Sequence, residues 1–286
     1  MTSETVSITR RNSAYQILEA LLANRQKRHA TRTFLVEGVQ PINMALTHGW
    51  KFAAVIHRRG AALSSWATNV IERASAPMRY QLAGDLLDGL SRKDEGSELL
   101  AVLQMPPDDL ERIPVRPDLL VGVIDRPANP GNLGTLIRSC DAFGAHGLLV
   151  SGHAVDIYDP ATITASRGSL FVVPVVRVNS PGEVAAWLTA VRRLVPGCRA
   201  VAADERAERD IAAHDFSLPT VAVFGNEARG VSRAYRELCD AEVRIPMLGA
   251  ASSLNLGVAA SIVFYEVLRQ RQATSAGVSR RAITTS

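Results

Sequence analysis

Short aliphatic runs alternate along this chain with longer stretches whose apolar residues recur at helical spacing. Asn12 or Ser13 is placed to cap a first helix carrying Ile17, Leu18, Leu21 and Leu22. Thr33 to Gly38 reads as a strand running into a helix, with Pro41 tolerated in its first turn. A strand over 52–57, a helix over 61–74 and short strands near 79–82 and 99–102 complete the pattern. Residues 1–11 are polar and expected to fray. Residues 1–105 thus predict a compact α/β unit of ordinary domain size. The stretch 104–117 then holds four prolines among charged residues, so 106–118 is assigned as a stiff linker.

Beyond the linker the alternation is strict. Strands are expected over 119–124, 147–150, 172–178, 200–203, 220–224 and 242–245, with helices over 133–142, 160–166, 181–194 and 232–239. Aliphatic strands alternating with helices argue for a parallel sheet covered on both faces, here over 119–272. The small, polar and basic tail 273–286 is expected to be disordered. Ile245 to Leu248 reads as the end of a buried strand cut off by Pro246. From 254 to 268 apolar residues surround much of a helix, which suits a core or an interface. The intervening Gly249-Ala-Ala-Ser-Ser would let a ligand reach the backbone, and an ordinary tight turn accounts for it equally well.

Composition adds little until it is mapped. The 286 residues carry a formal +4, yet residues 1–60 hold nine Lys/Arg against three acids, a net +6, leaving −2 for the rest. Arg25, Lys27, Arg28 and Arg32 cluster with Arg10 and Arg11 near the first helix. A solvated helix face explains them, and so does a footprint for RNA or DNA phosphates. Three widely spaced cysteines support neither a disulfide framework nor a zinc site, and no metal is expected. No signal-peptide core or membrane-spanning run is evident, so a reducing cytoplasm is expected, with no membrane partner.

In a parallel sheet the ligand sits beyond the C-terminal strand ends, and polar or glycine-rich residues gather at three of them. The first is Asp125 to Arg138, in which Asn132 lies near a helix start and Arg138 sits in an otherwise apolar helix. Arg138 needs a partner, and Asp141 or Glu227 would make a plain structural ion pair. The second is Phe224-Gly-Asn-Glu-Ala-Arg-Gly230, and the third is the stretch 245–257. A dinucleotide Gly-x-Gly-x-x-Gly, a Walker A sequence and a Gly-x-Ser-x-Gly elbow are all missing, which disfavours nicotinamide, triphosphate and serine-hydrolase chemistry.

In this order, Asn132-Leu-Gly-Thr-Leu-Ile-Arg-Ser-Cys-Asp-Ala-Phe-Gly144, Phe224 to Ser232 and Ile245-Pro-Met…Ser253-Leu-Asn-Leu-Gly-Val-Ala259 resemble the three motifs of the SpoU (TrmH-like) branch of the SPOUT RNA methyltransferases. The likeness extends to actinomycete antibiotic-resistance enzymes of the avilamycin type. Phe34-Leu-Val-Glu-Gly38 is similar to the ribosomal-protein-like substrate domain of ribosomal RNA members. The residues alone predict an open Rossmann-like sheet, since threaded chains are nearly unknown. The resemblance implies instead a deep C-terminal trefoil knot, a homodimer and transfer of methyl from S-adenosylmethionine to a ribose 2′-hydroxyl of ribosomal RNA.

By the same resemblance, Gly225, Asn226, Ile245, Met247, Gly249 and Leu254 are candidates for holding the cofactor. Arg138 corresponds to the catalytic arginine, with Asn132, Glu227 and Asn255 positioning it, the ribose and the cofactor. Arginine is a poor formal base, so an orienting and charge-stabilising role for Arg138, held by Glu227, is preferred to general-base catalysis. Ala228 stands where the family usually has glycine, and Gly257 where serine is common. The rival readings are a transfer RNA 2′-O-methyltransferase, disfavoured by the large N-terminal domain, and a non-catalytic RNA-binding or assembly factor, disfavoured by the matched polar side chains.

Overall fold

The computed structural model describes residues 3–92 and 96–283. These form two compact units, and the division is not a single cut. Residues 1–107 and 156–172 make the first; 108–155 and 173–286 make the second.

In the first unit the elements run β1 (Glu4–Ile8), α1 (Ser13–Ala23), α2 (Arg25–Thr31), β2 (Thr33–Glu37), α3 (Val39–Thr47), β3 (Phe52–Arg58), α4 (Ser65–Ala74), β4 (Met78–Leu82), α5 (Gly84–Leu90) and β5 (Leu99–Gln104). The sheet order is β1-β4-β3-β5-β2; β1, β4 and β3 are parallel, and β5 is antiparallel to both its neighbours. Asn12 caps α1 by accepting from the Tyr15 N–H at 2.9 Å. β1 corrects the expectation of a frayed start: it is an edge strand whose only buried side chain is Ile8, too little apolar signal to read in sequence. Asn24 breaks the expected single helix by capping α2.

The segment 156–172, read as part of the second domain, joins the first. It carries α7 (Pro160–Ser166), and Tyr158 and Phe171 pack with Phe34 at centroid distances of 4.6 and 6.5 Å. Trp50 donates its indole N–H to the Phe171 carbonyl at 3.0 Å. Arg28 seals the join: its side chain is 2% exposed and reaches Asp156 at 2.7 Å and the Leu21 carbonyl at 2.9 Å. A buried guanidinium needs such pairing, because its desolvation costs several kcal/mol.

The second unit holds β6 (Leu120–Asp125), α6 (Pro130–Ala142), β7 (Gly147–Ser151), β8 (Val175–Val178), α8 (Pro181–Leu194), β9 (Arg199–Ala203), β10 (Thr220–Phe224), α9 (Arg233–Leu238), β11 (Ala241–Val243) and α10 (Leu256–Ile283). All six strands are parallel, in the order β11-β9-β10-β6-β7-β8. Successive connections diverge on either side of β6 and β10, the switch point where a crevice opens. Ile113, from the expected linker, is 2% exposed within the core that includes Val121, Val123 and Val221, so part of that linker belongs to this unit. The third stretch differs from expectation: the strand ends at Val243, and Ile245 to Asn255 are loop. α10 is not apolar all round in its burial, since Val258 and Tyr265 are 47% and 53% exposed. The helix runs to Ile283, into the tail expected to be disordered, with no proline to stop it once started, and 284–286 lie outside the described residues.

Candidate active site

The end of β6 sets the frame. Asp125 is buried and holds Arg126 through a two-pronged contact of 2.8 and 2.9 Å, which raises the Arg126 pKa. Asp125 also accepts from the Ser232 N–H at 3.2 Å, and the Arg126 carbonyl accepts from the Asn226 amide at 2.7 Å. The loop after β10 is thereby clamped at both ends. Inside it, Asn226 Oδ1 accepts from the Ala228 and Arg229 N–H groups at 2.9 and 3.2 Å, and the Asn226 and Gly230 backbones bond reciprocally. A Cβ at position 225 would lie 2.0 Å from the Gly230 carbonyl carbon, so loop closure itself demands Gly225. Ala228 does not have a positive φ, which is why an alanine is tolerated there.

Glu227 does not meet Arg138, as the sequence reading expected. Its carboxylate accepts from the Ala128 N–H at 3.1 Å, the Asn129 N–H at 3.4 Å and Asn132 Nδ2 at 3.1 Å. Asn132 Oδ1 then accepts from Asn255 Nδ2 at 2.9 Å, and Asn255 Oδ1 accepts from the Gly257 N–H at 2.9 Å. A carboxylate only accepts, so one charge fixes both amide orientations along the relay. Three stretches distant in sequence become one hydrogen-bonded wall.

α6 and α10 meet beyond this wall. Ser139 and Ser261 hydroxyls lie 2.7 Å apart, and a Cβ at Gly257 would sit 2.6 Å from the Thr135 methyl. The glycine at 257 is therefore matched to the threonine on the facing helix.

A cleft of about 500 Å³ opens beside the relay, lined by Asn132, Gly225, Asn226, Glu227, Leu254 and Asn255 among others. An adjoining lobe of about 80 Å³ takes Ile245, Met247 and Leu254 with Val243 and Ala259. Gly249 lines neither; it is exposed, with open space where a Cβ would be. Arg138 is likewise outside the cleft. It is exposed on α6, and no hydrogen bond or ion pair joins it to another of the described residues. Of the basic cluster, Arg25 and Arg32 are exposed and Lys27 half-buried, but Arg28 is consumed by Asp156 and withdrawn from any phosphate.

The sequence reading missed the cleft wall after β9. Asp204, nearly buried, pairs with Arg236, while Glu205 and Arg206 are exposed in the cleft. The strand-end rule covers Ala203-Asp-Glu-Arg206, and its polar run was the available signal.

The model of the SpoU rRNA methylase family matches residues 119–265, and that of the SpoU L30e-like domain matches 12–101. The chain belongs to the SpoU rRNA methylase family. It is 47% identical, over 97% of its length and 95% of the relative's, to a 23S rRNA (uridine(2479)-2′-O)-methyltransferase of Streptomyces viridochromogenes. The crystal structure of the SpoU methyltransferase AviRb from that organism, in complex with AdoMet, superposes with a TM-score of 0.86 at 47% identity, covering 91% of this chain and 98% of AviRb. An AdoMet-bound rRNA methyltransferase from Sinorhizobium meliloti gives 0.83 at 28% identity, covering 93% and 98%. The range matched by the methylase model contains all three residues of the relay, Asn132, Glu227 and Asn255.

Proposed function

We propose that the protein transfers a methyl group from S-adenosylmethionine to a ribose 2′-hydroxyl of ribosomal RNA. The observation that carries this reading is the relay Glu227–Asn132–Asn255, which joins the three strand-end stretches beside a cleft of suitable chemistry. The likeness to a 23S rRNA 2′-O-methyltransferase and to AdoMet-bound structures supports it. The donor set fits the cofactor: the lobe with Ile245, Met247 and Leu254 suits an adenine ring, and the exposed Glu205 carboxylate suits a cationic end.

When bound, S-adenosylmethionine supplies a methyl on a sulfonium centre, an electrophile already activated. The protein's share is alignment and stabilisation of charge on the attacking oxygen. Arg138, permanently charged, orients the phosphate and ribose and stabilises developing oxyanion charge, while a phosphate oxygen or water takes the proton. Glu227 positions Asn132 and Asn255 instead of Arg138, and Asn255 starts the helix that closes the cleft.

Arg138 does not line its own chain's cleft, so the reading includes a homodimer in which a second copy presents it. The exposed Val258 and Tyr265 on α10 supply an apolar face for that contact. The trefoil threading of the family belongs to the same reading. Arg271 on α10 donates to the Asp118, Leu119 and Leu218 carbonyls at 2.7, 3.0 and 2.8 Å, which ties that helix to the starts of β6 and β10. Arg25, Lys27 and Arg32 remain candidates for RNA phosphates. A cytoplasmic setting agrees with three free cysteines, of which burial pushes Cys239 up to about 12.

The test is to incubate the full chain with labelled S-adenosylmethionine and ribosomal RNA transcripts, then map the alkali-resistant ribose. One methylated nucleotide is expected; label reaching no ribosomal RNA overturns the reading. Arg138→Lys should lose about 10²–10³ in turnover while binding the cofactor normally. Near-normal methylation would sink the role given to Arg138.

A further inference from the structure

The first unit contains a second concavity, of about 260 Å³, that the reaction described above leaves unused. Its floor is apolar, with Leu22, Leu35, Pro41 and Ile163 among the lining residues, and Arg92 and Arg167 also line it. Both arginines are exposed, and neither guanidinium has a hydrogen-bond or ion-pair partner among the described residues. Arg167 is held at the end of α7 with a φ of 52°, a left-handed conformation that only the surrounding structure justifies. Glu37 is the acid among the lining residues, and its carboxylate is already engaged by the Ser91 and Ser97 hydroxyls and by the Arg92 N–H at 2.9 Å. It holds Ser91, the Arg92 backbone and Ser97, and among the described lining residues it leaves the two guanidinium groups as the unspent charge.

We propose that this pocket takes one unpaired nucleotide of the RNA substrate, its base on the apolar floor and its phosphates on Arg92 and Arg167. The proposal rests on the reading of the protein as an RNA methyltransferase. Size favours a single base: pockets for drug-sized ligands run from roughly 300 to 1,000 Å³, and this one is smaller. Sequence-specific RNA recognition takes unstacked bases against apolar, aromatic or guanidinium surfaces. Two guanidinium forks beside an apolar slot match that chemistry, since each grips a phosphate with two parallel hydrogen bonds. One wall, Pro160 to Arg167, comes from the segment that lies between β7 and β8 in sequence. The substrate pocket is therefore built from both family regions of the chain.

The experiment uses the full chain and a fluorescent ribosomal RNA transcript, with RNA affinity measured against salt and cofactor affinity by calorimetry. Thr164→Trp fills the pocket from an exposed position on α7 and should fold normally. It is expected to weaken RNA binding at least tenfold with an unchanged salt slope, because it removes base contacts and no charge. Arg92→Ala with Arg167→Asn should weaken binding similarly and flatten the slope by about 1–2, at roughly 0.7 per phosphate on a single strand; asparagine is chosen because it tolerates a positive φ. Both variants should bind cofactor normally. RNA affinity within twofold of wild type for Thr164→Trp, or an unchanged slope for the arginine pair, overturns the pocket. Wild-type protein that fails to bind the RNA overturns the functional reading, and the pocket with it.

Discussion

Two polar networks join parts of this chain that lie far apart in sequence, and they differ in what surrounds them. In the first unit, Arg28 bonds Asp156 across 128 residues, with both side chains almost fully buried. In the second, Glu227 bonds Asn132 across 95 residues and Asn132 bonds Asn255 across 123, at the edge of an open cleft. The first is closed: every group in it is consumed holding the segment 156–172 in place. The second ends on the backbone N–H groups of Ala128 and Gly257, beside the open cleft. Burial separates a lock from a candidate site, even where hydrogen-bond distances are alike. The largest expected effect follows from the lock. Arg28→Ala leaves Asp156 buried without its guanidinium, with only His29 and the Tyr158 N–H beside it, which should cost about 3–5 kcal/mol of stability. Lys27→Ala, one residue away and half-buried, should stay within roughly 0.5 kcal/mol. Urea denaturation of both variants checks this; equal losses would remove the distinction between lock and surface.

The relay is probed by the smallest change available. Glu227→Gln keeps the shape but replaces a group that only accepts by one that must donate at one end, against the Ala128, Asn129 or Asn132 donors. A hydrogen bond to a charged group contributes about 1.5–3 kcal/mol, so turnover should fall roughly tenfold to a hundredfold, with little change in melting temperature. Unchanged turnover would mean that the relay is architecture only, like the lock.

The same contrast governs what could be read from sequence. The parallel strands of the second unit are buried on both faces, so their aliphatic runs stand out: the helix at 181–194 and the strand at 220–224 match expectation. Asn132 and Glu227 stood out because their stretches fall at strand ends, where a parallel sheet puts its ligands; Asn255 was singled out by the resemblance alone. Arg28 was not, since nothing local distinguishes a buried arginine from its exposed neighbours, and its partner lies in a segment whose pattern fits the alternation of the other unit. The partner expected for Arg138 was a different error. Leu133, Leu136, Ile137 and Cys140 define the buried face of α6, and 100° per residue already turns position 138 away from it. The helical spacing contained the answer that the apolar composition obscured.

A smaller effect tests how tightly the wall of the second unit is set. The Thr135 hydroxyl donates to the Gly131 carbonyl at 2.9 Å, which keeps its methyl turned toward position 257. Gly257→Ser should therefore overpack the α6–α10 seam, at a cost of about 1–3 kcal/mol. Thr135→Ser removes the obstructing methyl, and the double variant should recover more than half of the loss. Additive costs in the double-mutant cycle would show that the two positions do not share the space.

The smallest effect asks which unit is sensitive to acid. Burial lowers the pKa of His57 in the first unit and of His146 and His214 in the second. His214 is the most isolated of these, because both ring nitrogens are buried with no hydrogen-bond partner among the described residues and the ring lies edge-on to Phe216 at 4.6 Å. Arg209 and Arg199 lower its pKa further, with Asp215 opposing them. The sign follows from which state binds the proton. Above the ordinary value of 6.5, both the folded and unfolded forms are neutral and nothing is gained or lost. Below it the unfolded chain takes up a proton that the native site resists, so stability is lost as pH falls from 6.5 toward the depressed native value. Melting temperature should drop by a few degrees at most between about pH 7 and 5. His214→Phe keeps a ring against Phe216, gives up no hydrogen bond from the ring, and cannot titrate; it should flatten part of that slope. If the variant melts with the wild-type pH dependence, the acid sensitivity lies with His57 or His146, and the comparison passes to those two positions.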